Sequence, residues 1–231
     1  HESYYFKLKD ILLKTKKDIN KYDLTGAFIQ MEFYCNERIT EGKITYERER
    51  FELFKEELKE KTYLMSDNSI SPVFYRNIVY SGLHLKEFKW VNDFIIGYKQ
   101  ELNKKYRDNY FYYCLALYEF NIKNFEYSME LLSKIKYDEV YMKLNSKVLH
   151  LQLLYESGFE DTLIFSMENF RHFLKNDRLI PDNKKKQLYN FHKFLSRITS
   201  GSIRKSRSEL DHLYQNILQE KDIVNKNWLL E

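Results

Sequence analysis

The sequence predicts an all-α fold, and three observations support this prediction. The chain has 231 residues but only 6 Gly and 2 Pro, too few turn residues for a β-sandwich or a barrel. Apolar residues recur at three- and four-residue intervals along nearly the whole chain, which is the period of an amphipathic helix. One pattern also repeats after 37 residues, as in helical-repeat proteins. We therefore expect one domain over residues 1–231, built from about eleven helices.

The first half of the chain contains three predicted helices before its clearest break. They are expected over residues 4–19, 24–40 and 45–63. Phe51, Phe54 and Leu58 should form the buried stripe of the third helix. Residues 65–71 are rich in Ser, Asp and Asn, which favour turns. Ser71 and Pro72 then suit the N-cap and the first position of a fourth helix.

The remaining helices follow one another closely. They are expected over residues 72–86, 88–102, 106–122, 125–136, 138–157, 160–175, 181–200 and 203–222. Pro181 should start the tenth helix, and Gly201 should separate it from the eleventh. Because the connections are short, consecutive helices are expected to be antiparallel neighbours.

The internal repeat is a set of apolar or small residues at offsets 0, 3, 7 and 10 of one helix. Its two copies are Phe88, Val91, Ile95 and Tyr98, and then Phe125, Ser128, Leu132 and Ile135. A predicted tight turn precedes each phenylalanine, at residues 85–87 and 122–124. We therefore expect Phe88 and Phe125 to begin equivalent helices, each folded back on the helix before it.

The segment 116–132 resembles a tetratricopeptide repeat (TPR), in which two helices, A and B, form a hairpin. Ala116 is the small residue of helix A, Phe125 opens helix B, and Ser128 and Leu132 are the small and the large residue inside it. Small side chains at Ala116 and Ser128 would let the helices approach to about 8–10 Å. The resemblance implies an α-solenoid of TPR-like antiparallel hairpins in a right-handed superhelix. The clearest repeats would be 72–102, 106–136, 138–175 and 181–222.

The neighbouring repeats depart from this pattern. In the earlier one, Val79 and Val91 replace the small residues, and Ser81-Gly82 is expected to permit the close approach instead. In the later one, Phe159 and Thr162 match, but Ser166 stands where a large apolar residue belongs. The buried stripe of that helix is expected to consist of Leu163, Met167, Phe170 and Leu174. A degenerate array is therefore expected.

A second resemblance covers most of the chain. The chain resembles the C-terminal part of helical-repeat proteins of Bacteroidetes in segments 51–55, 85–90 and 228–230. This resemblance implies no particular activity. The first residue is His1 rather than Met, so we expect the chain to be part of a longer one. A purely architectural role within that longer chain is one alternative function.

The TPR register implies a partner-binding groove on the concave face. The residues expected to line it are Arg76, Tyr80, Tyr110, Tyr113, Leu117, Phe120 and Asn121. Tyrosine binds well because its large ring loses little conformational entropy. Packing between repeats is the alternative role for these positions. The leading prediction is a non-enzymatic scaffold that binds a protein or peptide partner in this groove.

The segment 171–207 is strongly basic. It holds eleven Lys and Arg against two Asp, an excess of nine positive charges, whereas the whole chain carries only +4. A solvated surface and a binding site for nucleic acid or another polyanion both fit this excess. The candidate contacts for the second interpretation are Lys184, Lys185, Lys186, Arg204, Lys205 and Arg207.

The sequence carries no local motif for catalysis or metal binding. It lacks His-Glu-x-x-His, Cys-x-x-Cys and glycine-rich phosphate loops. His84 and Glu87 have helical spacing, but they would supply only half of a metal site. The other helical histidines are expected to be packed or on the surface: His150, His172, His192 and His212. We therefore expect no enzymatic activity, no cofactor and no metal.

The two cysteines bear on the compartment. Cys35 and Cys114 stand 79 positions apart in apolar helical settings, so we expect buried free thiols in a reducing compartment such as the cytoplasm. No apolar run reaches eighteen residues, and no contact with a membrane is expected.

Overall fold

The computed structural model describes residues 2–136, 139–200 and 207–231, and within these ranges it contains helices and turns but no strand. The predicted all-α class is confirmed. The chain forms two compact units, His1–Ile135 and Lys136–Glu231, called here the N-terminal unit and the C-terminal unit.

Seven α-helices belong to the N-terminal unit and five to the C-terminal unit, among the described residues. The first set is α1 Glu2–Thr15, α2 Lys21–Thr40, α3 Thr45–Glu60, α4 Pro72–His84, α5 Phe88–Gly97, α6 Lys104–Asn121 and α7 Phe125–Ser133. The second set is α8 Val140–Glu156, α9 Glu160–Asn176, α10 Asp182–Thr199, α11 Arg207–Gln219 and α12 Lys226–Leu230. Gly201, expected to separate the tenth and eleventh helices, lies outside the described residues.

Helix α5 is shorter than predicted because long-range contacts take over its expected last turn. The chain leaves the α-helix after Gly97 and forms a 3₁₀ turn over Lys99–Glu101. The backbone N–H of Ile70 donates to the Glu101 carbonyl at 2.8 Å, and the Tyr63 hydroxyl donates to the Glu101 carboxylate at 2.6 Å. These bonds tie the loop before α4 to the end of α5.

Helix α12 was not predicted from periodicity, since it has only five residues. It packs against α10 and α11. The Trp228 indole N–H donates to the Glu156 carboxylate at 2.7 Å, and the indole ring lies 5.5 Å from the Tyr155 ring. The end of the chain is therefore attached to the end of α8.

Each helix of the N-terminal unit packs against the next one in the chain, from α1 to α7, and α4 also packs against α6. In the C-terminal unit, α8 packs against α9 and α9 against α10. The predicted stripe of α3 is buried, since Phe51 and Phe54 are each 1% exposed and Leu58 is 8% exposed. Cys35 and Cys114 are buried free thiols, as predicted.

One type of turn joins four helix pairs: α2–α3, α4–α5, α6–α7 and α8–α9. In each turn a single residue has a positive φ, and these residues are Gly42, Lys86, Lys123 and Gly158. In the third turn, the Lys123 N–H donates to the Phe120 carbonyl at 3.0 Å and the Asn124 N–H donates to the Glu119 carbonyl at 2.8 Å. Equivalent bonds, at 2.9 to 3.1 Å, close the other three turns. This pair of bonds defines the Schellman motif, which satisfies carbonyls at a helix end.

The turns also test the predicted register of the repeat. Helices α5 and α7 begin at Phe88 and Phe125, two residues after their positive-φ lysines, so the prediction that these phenylalanines begin helices is confirmed. Helix α9 begins at Glu160, two residues after Gly158. Phe159 therefore precedes the equivalent position by one residue, and it is 53% exposed.

The correspondence expected for Phe159 and Thr162 is thus wrong by one position. Thr162 is exposed, whereas Leu163 takes the buried place that Ser128 holds in α7. The shifted stripe is confirmed, since all four of its residues are at most 5% exposed: Leu163, Met167, Phe170 and Leu174.

Small residues lie where the paired helices meet. Ala116 and Ser128 are both fully buried, and the Ser128 hydroxyl donates to the Ala116 carbonyl at 2.7 Å. In the preceding pair, a Cβ on Gly82 would lie 2.4 Å from Val91 Cγ2 and 3.1 Å from Phe51 Cε2. Gly82 therefore provides the close approach where Val79 and Val91 replace the small residues.

Gly82→Ala should destabilise the protein by about 1–3 kcal/mol, because the added methyl group overpacks a filled interface. Gly26→Ala is the matched control, since Gly26 also lies inside a helix but has no atom within 4 Å of its ideal Cβ. The control should stabilise the protein by up to about 1 kcal/mol through helix propensity. Urea unfolding measures both, and equal effects of the two substitutions would contradict the packing role of Gly82.

Two carboxyl groups meet between α2 and α3. Glu57 is 3% exposed, and its carboxyl group lies beside that of Glu32. Burial, followed by the neighbouring Glu32 carboxyl, holds the pKa of Glu57 well above its usual range. Folded protein therefore keeps a proton on this pair at neutral pH that the unfolded chain releases.

Because the folded state binds this extra proton, the free energy of unfolding should fall as pH rises from about 5 to 8, by up to about 1.4 kcal/mol per unit. Glu57→Gln removes the group that takes up the proton but keeps a neutral hydrogen-bonding side chain. The stability of this variant should therefore depend less on pH than that of the wild type. Glu52→Gln, which removes an exposed partner of Lys55, is the control and should leave the slope unchanged. Chemical unfolding at several pH values measures the free energy of unfolding of each variant. If this free energy changed with pH equally in wild type and Glu57→Gln, the prediction would be refuted.

Candidate partner-binding face

The expected groove residues lie on α4 and α6 and at the turn after α6. Ser71 caps α4, since its hydroxyl accepts from the Phe74 N–H at 3.5 Å, and Pro72 begins the helix, as predicted. The Asn103 side chain caps α6 by accepting from the Lys105 N–H at 2.9 Å. Helices α4 and α6 pack directly against each other, and α5 contacts both. Their facing sides therefore come together without α5 between them.

Tyr80 of α4 and Tyr113 of α6 form a hydrogen bond across this contact. Their hydroxyl oxygens lie 2.5 Å apart. Tyr113 is 2% exposed, and burial raises the pKa of both phenols. Both hydroxyls therefore stay neutral at physiological pH. We call this pair the tyrosine lock, because it fixes the contact between α4 and α6.

Arg76 lies one helical turn before Tyr80. Its guanidinium carbon is 6.0 Å from the Tyr80 ring centroid, and one terminal N–H donates to the Asn77 side chain at 3.3 Å. The half-buried side chain keeps its Nε away from solvent with no hydrogen-bond partner, and no carboxylate within the described ranges forms an ion pair with it. Arg76 thus has hydrogen-bonding capacity that the fold does not use.

The other four expected residues fall into two groups. Tyr110 and Leu117 share a helical face with Tyr113, and they are 6% and 7% exposed. Phe120 contacts Phe125, with ring centroids 5.7 Å apart, and the exposed Asn121 donates to the Leu117 carbonyl at 2.8 Å. The structure therefore brings Arg76, Tyr80 and Tyr113 into one cluster. Tyr110 and Leu117 lie in the core beside it. Phe120 and Asn121 lie at the α6–α7 turn.

Sequence reasoning missed the rest of the accessible stripe on α4. Val73, Arg76, Asn77 and Tyr80 have the spacing of one helical face, and none of them is fully buried. The complementary positions Tyr75, Ile78 and Val79 are 0% exposed. The spacing from Val73 to Tyr80 is the signal that identifies this stripe in the sequence.

The two residues considered as half of a metal site have separate partners. His84 lies 3.7 Å from the Glu47 carboxylate, and Glu87 pairs with Arg48 at 2.5 Å. Over residues 2–136, 139–200 and 207–231, no three His, Cys, Asp or Glu side chains are grouped as a metal site requires. In those same ranges, no helix is both long enough and apolar enough to span a bilayer.

The candidate nucleic-acid residues are only partly described. Lys186 pairs with Asp222 at 2.5 Å, and Lys184 donates to the Gln187 side chain at 3.5 Å. Lys185 is half-buried on α10 and Arg207 begins α11. Arg204 and Lys205 lie outside the described residues. The structure therefore gives no grouping of these six side chains.

No protein-family model, curated protein or solved structure matches this chain. The function is therefore inferred from the side chains and their contacts.

Removing either hydroxyl of the tyrosine lock should destabilise the protein by about 1–3 kcal/mol, because the other hydroxyl is left buried and unpaired. The double variant, Tyr80→Phe with Tyr113→Phe, should lose less unfolding free energy than the two single variants lose together. We expect a difference of about 0.5–3 kcal/mol. Tyr22→Phe, at a side chain that is 87% exposed, should have no effect. Unfolding free energies measure this cycle, and strictly additive losses would show that the two hydroxyls do not depend on each other.

Proposed function

We propose that this protein is a non-enzymatic helical-repeat scaffold that binds a peptide or protein segment on the α4–α6 face. This face consists of Val73, Arg76, Asn77 and Tyr80, held in place by Tyr113. The observation that carries the proposal is the half-buried Arg76, whose Nε has no partner and whose charge is not paired with a carboxylate among the described residues.

The repeated turn supports the scaffold part of the proposal. Four helix pairs share the Schellman motif, and consecutive helices of the N-terminal unit pack in chain order. The additional contact of α4 with α6 is what TPR-like antiparallel hairpins would produce, because the first helices of neighbouring hairpins line one face. A right-handed α-solenoid is the architecture proposed on this basis.

The residue types of the face support the binding part. Arginine and tyrosine are enriched among the residues that dominate binding energy at protein interfaces. The tyrosine lock holds Tyr80 in place before a partner arrives, so little side-chain entropy remains to be lost on binding. Arg76 would supply donors to a carbonyl or carboxylate group of the partner.

Random peptides displayed on phage and selected against the whole chain provide a direct test. Selected peptides should bind saturably, and Arg76→Gln should weaken them at least tenfold, which corresponds to about 1.4 kcal/mol. Fluorescence anisotropy with labelled peptides measures this. Because Arg76 forms no ion pair in the described structure, Arg76→Gln should leave the melting temperature nearly unchanged.

Arg171→Gln serves as the matched control, because it removes another helical arginine, one that pairs with Glu168 at 2.7 Å in the C-terminal unit. It should leave peptide binding unchanged. Peptides that bind wild type and Arg76→Gln equally would place the interface elsewhere, and a failure to select any saturable peptide would remove the basis for a peptide-binding face.

A further inference from the structure

A pocket in the C-terminal unit lies between α8 and α9. Its volume is about 150 Å³, and it is lined by Lys147, His150, Leu151, Ser166, Asn169 and Phe170. Pockets for drug-sized ligands typically measure about 300–1,000 Å³, so this one suits a single small group. Leu151 and Phe170 are buried at 1% exposure each, and the other four residues offer hydrogen-bonding groups.

Two basic side chains line this pocket, those of Lys147 and His150, and Lys143 lies one helical turn before Lys147. Lys143, Lys147 and His150 follow one another along α8, and none of them forms an ion pair with a carboxylate among the described residues. The Lys143 and Lys147 ammonium groups instead lie 4.8 and 5.4 Å from the centroid of the Phe173 ring. Burial, followed by Lys143, lowers the pKa of Lys147, while burial, followed by Lys147, lowers that of His150. Both lowered pKa values show that no nearby carboxylate stabilises the protonated forms of these groups.

Two carboxylates of these helices have partners elsewhere. Glu156, the only acid on α8, accepts from the Trp228 indole. Glu168 of α9 accepts from Arg171 and lies 3.0 Å from His172. Neither supplies the missing negative charge.

A second pocket of the same unit shows how the chain balances charge elsewhere. It lies between α10 and the end of α11, and Glu220 contributes to its lining together with Lys193 and Arg197. That pocket contains its own carboxylate. The α8–α9 pocket has one ammonium group, that of Lys147, and no acid in its lining, which leaves a place for an external anion.

We propose that the α8–α9 pocket binds one phosphate group, either as inorganic phosphate or as a phosphomonoester. Lys147 supplies charge, while His150, the Ser166 hydroxyl and the Asn169 amide supply hydrogen-bond donors from both helices. A tetrahedral group with several acceptor oxygens suits donors that converge from two sides. This site does not depend on the α4–α6 face.

Nuclear magnetic resonance of the histidine rings tests the site, because the chain has only six histidines. Sodium phosphate and methyl phosphate are titrated separately at pH 7 into the whole chain, with sodium chloride keeping the ionic strength constant. His150→Gln assigns the His150 signal. We expect that signal to shift saturably with a dissociation constant of about 1 mM. If both probes saturate the shift, the pocket recognises the phosphate group that they share. If only one does, the natural ligand is of that kind, inorganic phosphate or a phosphomonoester.

Lys147→Gln should weaken phosphate binding at least tenfold, whereas Lys147→Arg should retain it. Asn169→Asp should abolish binding, because it supplies the carboxylate that the lining lacks. Lys193→Gln, in the pocket that contains Glu220, should bind as wild type does. Melting temperatures verify that each variant is folded. A shift of His150 no larger than that of His172, which does not line the pocket, or unchanged binding by folded Lys147→Gln, would overturn the proposal.

Discussion

A residue with positive φ at the end of the first helix of each pair is the backbone feature on which the helix pairs depend. Two of these residues are glycines and two are lysines. The left-handed conformation costs a lysine about 1–2 kcal/mol, and two hydrogen bonds to the helix end offset part of this cost. In three of the four turns the next helix begins two residues later, so the turn fixes where the second helix starts.

The fixed turn explains how the repeats remain alike while their sequences diverge. Each pair needs one place where the helices approach closely, but that place differs. In α6–α7 it is Ala116 with Ser128, and in α4–α5 it is Gly82 facing Val91. In α9 a large residue, Leu163, occupies the position equivalent to Ser128. Because the backbone sets the geometry, the side chains need only fill the space between the helices.

Sequence reasoning predicted the features that depend on local periodicity. The helix start at Thr45 was predicted from periodicity, and those at Pro72, Phe88 and Phe125 from caps and turns; the structure confirms all four. The sequence-based prediction was wrong where distant contacts decide the conformation. The shortening of α5, for example, depends on the hydrogen bond between Ile70 and Glu101. The one-residue offset at Phe159 also escaped prediction, because an aromatic residue after a turn does not reveal which residue adopts the positive φ.

The expected groove shows the same limit. Helical spacing places Tyr110, Tyr113 and Leu117 on one face of α6, but spacing alone does not tell whether that face is open or covered. All three residues are buried, and Tyr113 bonds to Tyr80 of α4, so the accessible residues of the cluster lie on α4. Arg76 and Tyr80 could be selected from the sequence, whereas the tyrosine lock required the positions of both helices.

Ion pairing differs among the partly buried cations of this chain. Arg38 and Arg50 each leave Nε without a partner, but their terminal groups pair with Glu41 and Glu47. Arg76 has no such carboxylate, and neither has Lys147, among the described residues. Partial burial of a cation without a carboxylate partner costs desolvation free energy that an ion pair would offset. This cost motivates both proposals, since Arg76 and Lys147 lie on surfaces that a ligand can reach.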